Sequence, residues 1–419
     1  MTGVTVTTRV TPLRLRGRSR GHGAFLALCI SVITSRGTLF YAFPVIAPTI
    51  SERTAWSLPQ LTAAFSAAQV VAAAVGIAVG RQVDRRGPRA VMTAASLVAV
   101  PALLVIVAAP DLAWFWVGWL LVGAAMAGVF YQPGFAALTR WYEGRARTRL
   151  LAWFTVAGGL ASALFAPLAA ALTEWLGWRG AFGVLALVLG VVTIPLHVWC
   201  LRRPWPPAPT VVGERSSGAS SPVAVVRSRA FLLLTAALCL ASFTLYAAVV
   251  NLVPLLTARG TTVTTAAWIL GLGGLGEVLG RLLYEPLSLF GGMRGRTVVV
   301  LAAGGVTTAV LGLLPGPAVA LALASLLAGG VRGIFVLVQA TAVSERWGVA
   351  CYAVLTAVLS APVTLATAIA PWAGSVLAAP LGGYPTLFLG LAAVGGLGAL
   401  LALGSTPPHL RARAHSGRG

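Results

Sequence analysis

Lysine is missing from this chain: all 30 residues in the combined Lys and Arg count are arginine. Acids are nearly as scarce, with 9 Asp and Glu in 419 residues, and His and Cys occur 4 times each. These shortages exclude several chemistries. Cys29, Cys200, Cys239 and Cys351 show no paired spacing, so neither a disulfide framework nor a zinc site is indicated. The apolar stretches hold no His or carboxylate cluster suited to a metal and no nucleophile beside a base, which argues against a membrane enzyme. No cofactor is expected. A basic set made only of arginine points to a GC-rich bacterial genome, an inference about codons rather than physics.

What is present is hydrocarbon. Hydrophobic residues make up 58% of the chain and charged ones 9%, and mean hydropathy is +0.90. Apolar stretches of membrane-spanning length recur from end to end. They predict twelve spans over 24–48, 61–80, 90–109, 112–138, 150–173, 179–200, 231–256, 264–289, 297–314, 317–342, 350–377 and 384–404. The fold class expected is an all-α membrane protein, twelve transmembrane helices in two six-helix bundles.

A net charge of +21 raises nucleic acid as a partner, but no folded basic domain exists to present it. Orientation explains the arginines better. On the twelve-span topology they crowd into the segments on one side, and only Arg53, Arg179 and Arg259 fall on the other. The positive-inside rule then predicts a multi-pass plasma-membrane protein with both termini cytoplasmic. The basic head from Arg9 to Arg20 resembles a signal peptide, yet the apolar run after it is too long and lacks an Ala-x-Ala exit, so an uncleaved first span is expected.

The organisation read from composition is a basic head (1–22), a first six-helix bundle (23–201), a linker (202–230), a second bundle (231–405) and a tail (406–419). The linker holds Pro204, Pro206, Pro207, Pro209 and the run from Ser216 to Ser221. The halves repeat at an offset of about 200–205: Gly80-Arg81 with Gly280-Arg281, Ala127 to Phe130 with Arg332 to Phe335, Ala166-Pro167 with Ala370-Pro371. Parallel repeats of this kind build rocking transporters.

The densest charge cluster is Gly80-Arg-Gln-Val-Asp-Arg-Arg-Gly-Pro-Arg89, which cannot lie in hydrocarbon and is expected as a tight turn at Gly87-Pro88. It is similar to the Gly-x-x-x-Asp-Arg-x-Gly-x-Arg loop of the major facilitator superfamily, between the second and third spans. Gly177-Trp-Arg179, Tyr131-Gln-Pro133 and Arg140-Trp141 fit the same family. The resemblance implies a cytoplasmic gate at Gly80, Asp84, Arg85, Gly87 and Arg89, with Asp84 meeting Arg side chains and a helix end of the other half. Arg140-Trp-Tyr-Glu-Gly-Arg145 leading into Ala157-Gly-Gly159, and Glu277-Val-Leu-Gly-Arg281, resemble the bacterial monocarboxylate and organic-anion porter-like branch. That branch implies an acid and an Arg one helical turn apart handling proton and carboxylate.

An ionic side chain mid-membrane costs about 2.5–3.5 kcal/mol on translocon scales, so it calls for a partner, a watery cavity or a function. Arg36 sits mid-span, followed by Tyr41, Pro44 and Pro48, whose prolines free backbone groups in a helix able to bend. Glu277 and Arg281 share one helical face in the favourable order, and Arg332 has glycines 329, 330 and 333 around it for close helix packing. Glu277, the acid placed deep in the membrane, is the expected proton carrier. Arg36, Arg281 and Arg332 with Tyr131, Gln132 and Asn251 are the candidate solute-binding residues, each with a helix-packing role as its alternative.

Three arginines to one glutamate make an electropositive cavity whose natural ligand is an anion. The expected function is a secondary transporter of a small organic anion by alternating access, with the bilayer and the solute as partners and the proton as a further candidate. No ATP site is expected, because Gly271-Leu-Gly-Gly-Leu-Gly276 opens an apolar span with no preceding strand. Drug or metabolite efflux by proton antiport, and a receptor on the same fold, are the alternatives. His197, at the inner end of the sixth span, is expected to be structural or solvated.

Overall fold

A computed structural model describes residues 18–206, 222–288, 292–348 and 352–406. The arginines at 9, 14 and 16, the middle of the linker, Cys351 and the tail arginines lie outside the described residues.

Among the described residues eleven helices are long and apolar enough to cross a membrane. Ten are single: α1 (Gly23–Arg53), α2 (Leu58–Arg86), α3 (Pro88–Ala108), α4 (Leu112–Trp141), α7 (Arg229–Ala258), α8 (Val263–Tyr284), α9 (Met293–Leu313), α10 (Ala318–Trp347), α11 (Val354–Ala378) and α12 (Tyr384–Leu403). The eleventh, Gly144–Cys200, has 57 residues. At about 1.5 Å per residue it would far outreach a bilayer core of about 30 Å. It turns back at Gly177, whose φ of 67° and ψ of 175° are not helical. Its two arms, α5 (144–176) and α6 (178–200), complete the twelve expected crossings.

Local chemistry sets the helix ends. Ser57 starts α2 with a capping box: Gln60 N–H donates to Ser57 Oγ at 3.4 Å and Ser57 N–H donates to Gln60 Oε1 at 2.9 Å. Asp111 and Ser228 cap α4 and α7 by accepting from Trp114 N–H at 3.0 Å and Phe231 N–H at 3.3 Å. The Gly80 to Arg89 segment turns at Gly87-Pro88 as expected, and nowhere else. Gly80 and Asp84 belong to the last turns of α2, which stays helical to Arg86, and Gly87 alone (φ 79°) reverses the chain into α3. Polar end turns project beyond hydrocarbon, which is why several helices exceed their apolar cores.

α1 is not uniform. Directly after Arg36 it widens into a π turn over Gly37–Tyr41, closed by Ala42 N–H donating to Gly37 O at 2.9 Å. Pro44 follows and brings no N–H of its own, so the widened turn and the proline fall together. The expected bend in α1 is this turn.

The buried core is divided unequally. Toward the arginine-poor ends of the helices one continuous apolar cluster joins both halves, running from Leu39, Phe43 and Phe65 through Trp119 and Phe182 to Val253, Leu256, Leu270 and Phe388. Toward the arginine-rich ends the core separates. One cluster, including Leu28, Met92, Leu138 and Phe154, stays within the first half. Another, including Phe231, Val300, Phe335 and Leu359, stays within the second. The halves are thus pressed together at the arginine-poor face and have separate cores at the other.

The arginine-poor face also shows what its few arginines do. Arg179 donates to the carbonyls of Val107 at 3.1 Å and Ala109 at 3.0 Å, closing the C-terminal end of α3. Arg259 donates to the carbonyls of Leu311 at 2.9 Å, Leu314 at 2.6 Å and Gly312, closing the end of α9. A cation there satisfies orphan carbonyls and meets the negative end of the helix dipole.

Candidate functional site

α1, α4, α8 and α10 bring a set of charged and aromatic side chains together near the middle of the molecule. Arg36 leaves α1 immediately before the π turn and is 9% exposed. α4 breaks from helical geometry at Phe130 (φ −82°, ψ −155°), which offers Phe130 and Tyr131 to the Arg36 guanidinium. The Arg36 Cζ lies 4.8 Å from the Tyr131 ring centre, 5.4 Å from Tyr41, 5.6 Å from Phe40 and 5.7 Å from Phe130. Four electron-rich faces stabilise a buried cation, though none neutralises it. Its one hydrogen bond runs from Nη2 to Tyr41 Oη at 3.2 Å. The Nε–H has no partner, and no carboxylate among the described residues pairs with Arg36.

Glu277, 3% exposed, is clamped from two helices. One carboxylate oxygen accepts from Arg281 Nη2, a turn further along α8. The other accepts from Arg332 Nε of α10 at 3.1 Å. Arg332 also reaches Gly273 O at 3.4 Å, and Arg281 Nη1 donates across the halves to the Thr155 carbonyl of α5. Arg281 Nε–H is left without a partner. Arg36 is in electrostatic range of Glu277, and Arg281 of Arg36, so the three guanidinium groups and one carboxylate form a single cluster.

Glycines make this approach possible. A side chain on Gly333 would run into the Glu277 carbonyl, one on Gly329 into Gly273, one on Gly280 into Gly330 and one on Gly276 into Leu326, all backbone atoms of the facing helix. The expected role of the glycines around Arg332 is therefore seen, and α8 is the helix they admit. On α5, Gly158 makes room for the Tyr131 hydroxyl, and Gly159 leaves space beside Arg281.

The other candidates lie elsewhere. Asn251 is fully buried and its amide is committed to packing: Nδ2 donates to Ala247 O at 2.9 Å and Pro371 O at 3.4 Å, and Oδ1 accepts from Ser375 Oγ at 2.9 Å. It ties α7 to α11. Gln132 is exposed, although its neighbour Tyr131 stands over Arg36. His197 is buried rather than solvated, with Nε2 2.6 Å from Ser31 Oγ and Nδ1 3.3 Å from Ser96 Oγ, a joint between α1, α3 and α6.

At the arginine-rich face Asp84 meets an arginine of its own half rather than a helix end of the other. Arg140 Nη2 donates to Asp84 Oδ1 at 2.6 Å, and Arg140 Nη1 and Trp205 Nε1 reach the Asp84 carbonyl at 3.2 and 3.0 Å. The Trp205 ring stacks 4.5 Å from the Arg140 guanidinium and fills the space over Gly87. Gly80, Arg81, Arg85 and Arg89 are not buried.

Sequence reasoning missed two things. Phe40 and Phe130 belong to the Arg36 cage, and no signal in the sequence set them apart from the other aromatics. Arg346, which the twelve-span topology puts on the arginine-rich side, is 2% exposed there and donates to Ser405 O, Ala342 O and Thr297 Oγ1 at 3.2, 3.2 and 3.0 Å, a packing role that the sequence did not announce. Helix α10 stays regular to Trp347, carrying Arg346 inward on its packed face.

The model of the Major Facilitator Superfamily matches residues 28–353. No curated protein matches the sequence. Among solved structures, a bacterial homolog of the human lysosomal transporter Spinster, inward-facing and occupied, superposes with a TM-score of 0.66 at 15% identity, covering 92% of each chain. The same homolog, inward-facing and unoccupied, gives a TM-score of 0.68 at 16% identity, covering 93% of this chain and 94% of that one. With twelve apolar crossings, a matching fold and a family model across most of its length, the chain belongs to the Major Facilitator Superfamily and is a membrane transporter, not an enzyme.

Proposed function

We propose that the protein moves a small organic anion of the carboxylate type by alternating access, with the proton as coupling ion. The observation that carries this reading is Arg36: a buried, permanently charged group with one hydrogen bond, an unpartnered Nε–H and no ion pair among the described residues. Two guanidinium groups hold the one carboxylate and Arg36 has none, so the cluster has positive charge to spare. A carboxylate solute supplies what Arg36 lacks, through the short, charge-assisted bonds that guanidinium favours. A cationic drug would add to the surplus instead, which disfavours the efflux alternative.

Glu277 is the titratable acid of the cluster. Its protonation frees Arg281 and Arg332 for the incoming anion, so proton and carboxylate favour one another at the same place. The likeness of Glu277 to Arg281 and of Arg140 to Arg145 to the monocarboxylate porter-like branch supports this pairing of roles. Two six-helix halves rock about the cluster, and the Asp84, Arg140 and Trp205 contacts brace the first half at the gate. The arginine asymmetry supports a plasma-membrane protein with the arginine-rich face and both termini in the cytoplasm.

The test is proteoliposome uptake of labelled carboxylates with and without a proton gradient. Losing one bond to a charged group costs about 1.5–3 kcal/mol, so Arg36→Gln should weaken carboxylate uptake about 10- to 100-fold. Carboxylate uptake unchanged in Arg36→Gln, or transport confined to neutral and cationic drugs, would end the anion reading.

A further inference from the structure

Between α5 and α8, on the arginine-rich side, lies a cleft of about 700 Å³, within the usual range for a small-molecule site. Arg145, Arg149, Trp153, Arg281, Leu282 and Leu337 are among its lining residues. Trp153 of α5 and Leu282 of α8, which line it, are 48% and 50% exposed on the outward surface of their helices. Further along the same helices, beyond the cleft, Leu164 and Leu168 of α5 and Leu275 and Leu279 of α8 are also exposed. Both sets recur at helical spacing and form the stripes a membrane helix turns toward lipid tails. Arg281 reaches the cleft from the buried cluster, 7% exposed and with its Nε–H unpartnered.

We propose that this groove is a lateral entrance by which single-chain carboxylates, an apolar tail with one anionic head, pass from the arginine-rich leaflet to Arg281. The inference rests on the anion reading above and names the class of anion. Chemistry along the groove is graded to suit such a molecule. Arg145 and Arg149 stand at its polar end, where headgroups lie, and attract anions from the leaflet surface. Trp153, Leu282 and Leu337 offer tail contacts. Arg281 is in contact with both the groove and Glu277, so a head arriving there is already at the edge of the cluster holding Arg36. A short water-soluble acid has no use for the apolar rim, and a neutral lipid leaves the arginines unanswered.

The full chain in proteoliposomes decides it, with a hexadecanoic acid carrying a photoreactive diazirine as the probe. Labelling is expected on 145–156 or on Leu282, suppressed roughly tenfold by excess hexadecanoate and not by hexadecanol. Ala152→Trp, which fills the groove from an exposed position, should reduce that labelling while sparing propionate uptake. Labelling absent from these positions in the wild type, or suppressed equally by the alcohol, overturns the groove whatever the variant does. Propionate transported and hexadecanoate excluded also overturns it but leaves the anion reading intact. The anion reading fails separately, when uptake of both acids ignores Arg36→Gln.

Discussion

The three arginines of the central cluster carry the same charge in different company. Arg281 and Arg332 hold opposite oxygens of Glu277, while Arg36 has only aromatic faces and a phenol. Removing the shared carboxylate therefore strands two buried cations at once. Glu277→Gln is expected to destabilise the protein by about 3–5 kcal/mol, seen as a lower melting midpoint in detergent. The double variant Glu277→Gln with Arg281→Gln should lose less than the sum of the single losses, because one stranded charge has gone. Equal and additive losses would mean that the pair does not interact. The charged members were legible in the sequence, because an ionic residue inside an apolar run is conspicuous. Phe40 and Phe130 were not, since an aromatic in a membrane helix looks the same facing lipid, core or cation. Asn251 shows the reverse problem: its polarity marked it for solute, and the structure commits its amide to Ala247, Pro371 and Ser375.

Helix positions were legible because hydrocarbon thickness imposes a length, and each of the twelve expected spans coincides with a helical crossing. Helix ends were not, since polar end turns outside the bilayer carry no hydropathy signal, as α2 shows by continuing to Arg86. Packing between elements was half legible. Glycines near Arg332 announced a close approach, and the partner required three dimensions. The α8 and α10 interface gives a sharp test within one turn of helix. At Gly329 a methyl group would strike backbone of α8, whereas at Gly330 the nearest atom is Gly276 O at 3.7 Å, ordinary contact. Gly329→Ala should cost about 1–3 kcal/mol through overpacking. Gly330→Ala should be neutral or gain about 0.5–1 kcal/mol from helix propensity. Melting of both variants in detergent checks this, and equal behaviour would refute the interface geometry.

At the scale of the molecule the internal repeat is visible in chemistry as well as sequence. Val107 and Gly312, and likewise Ala109 and Leu314, stand 205 residues apart and are capped by arginines. Those arginines, Arg179 and Arg259, come from different places in the two halves, so the repeat preserves the cap and not its donor. The single core at the arginine-poor face predicts where the halves can be tethered. Thr264 Oγ1 of α8 donates to Glu174 Oε2 of α5 at 3.2 Å, a contact between halves at that face. Cysteines at these two positions, with the four native ones replaced, should be bridged by a short thiol cross-linker. Uptake should stop on bridging and return once a cleavable linker is cut. Transport that survives bridging would mean the halves never part there.

The core that joins the halves at one face alone gives the empty carrier a resting side. Opening the other way uncovers apolar surface at about 25 cal/mol per Å² wherever water fills the gap. On the alternating-access reading, the halves part more readily at the arginine-rich face, where their cores are separate, and a solute from the opposite side must wait for the rarer open state. The apparent dissociation constant is the intrinsic one divided by the competent fraction. On that reading one site with one chemistry presents two affinities, weaker from the arginine-poor side, and no second binding site is needed to make transport directional in rate.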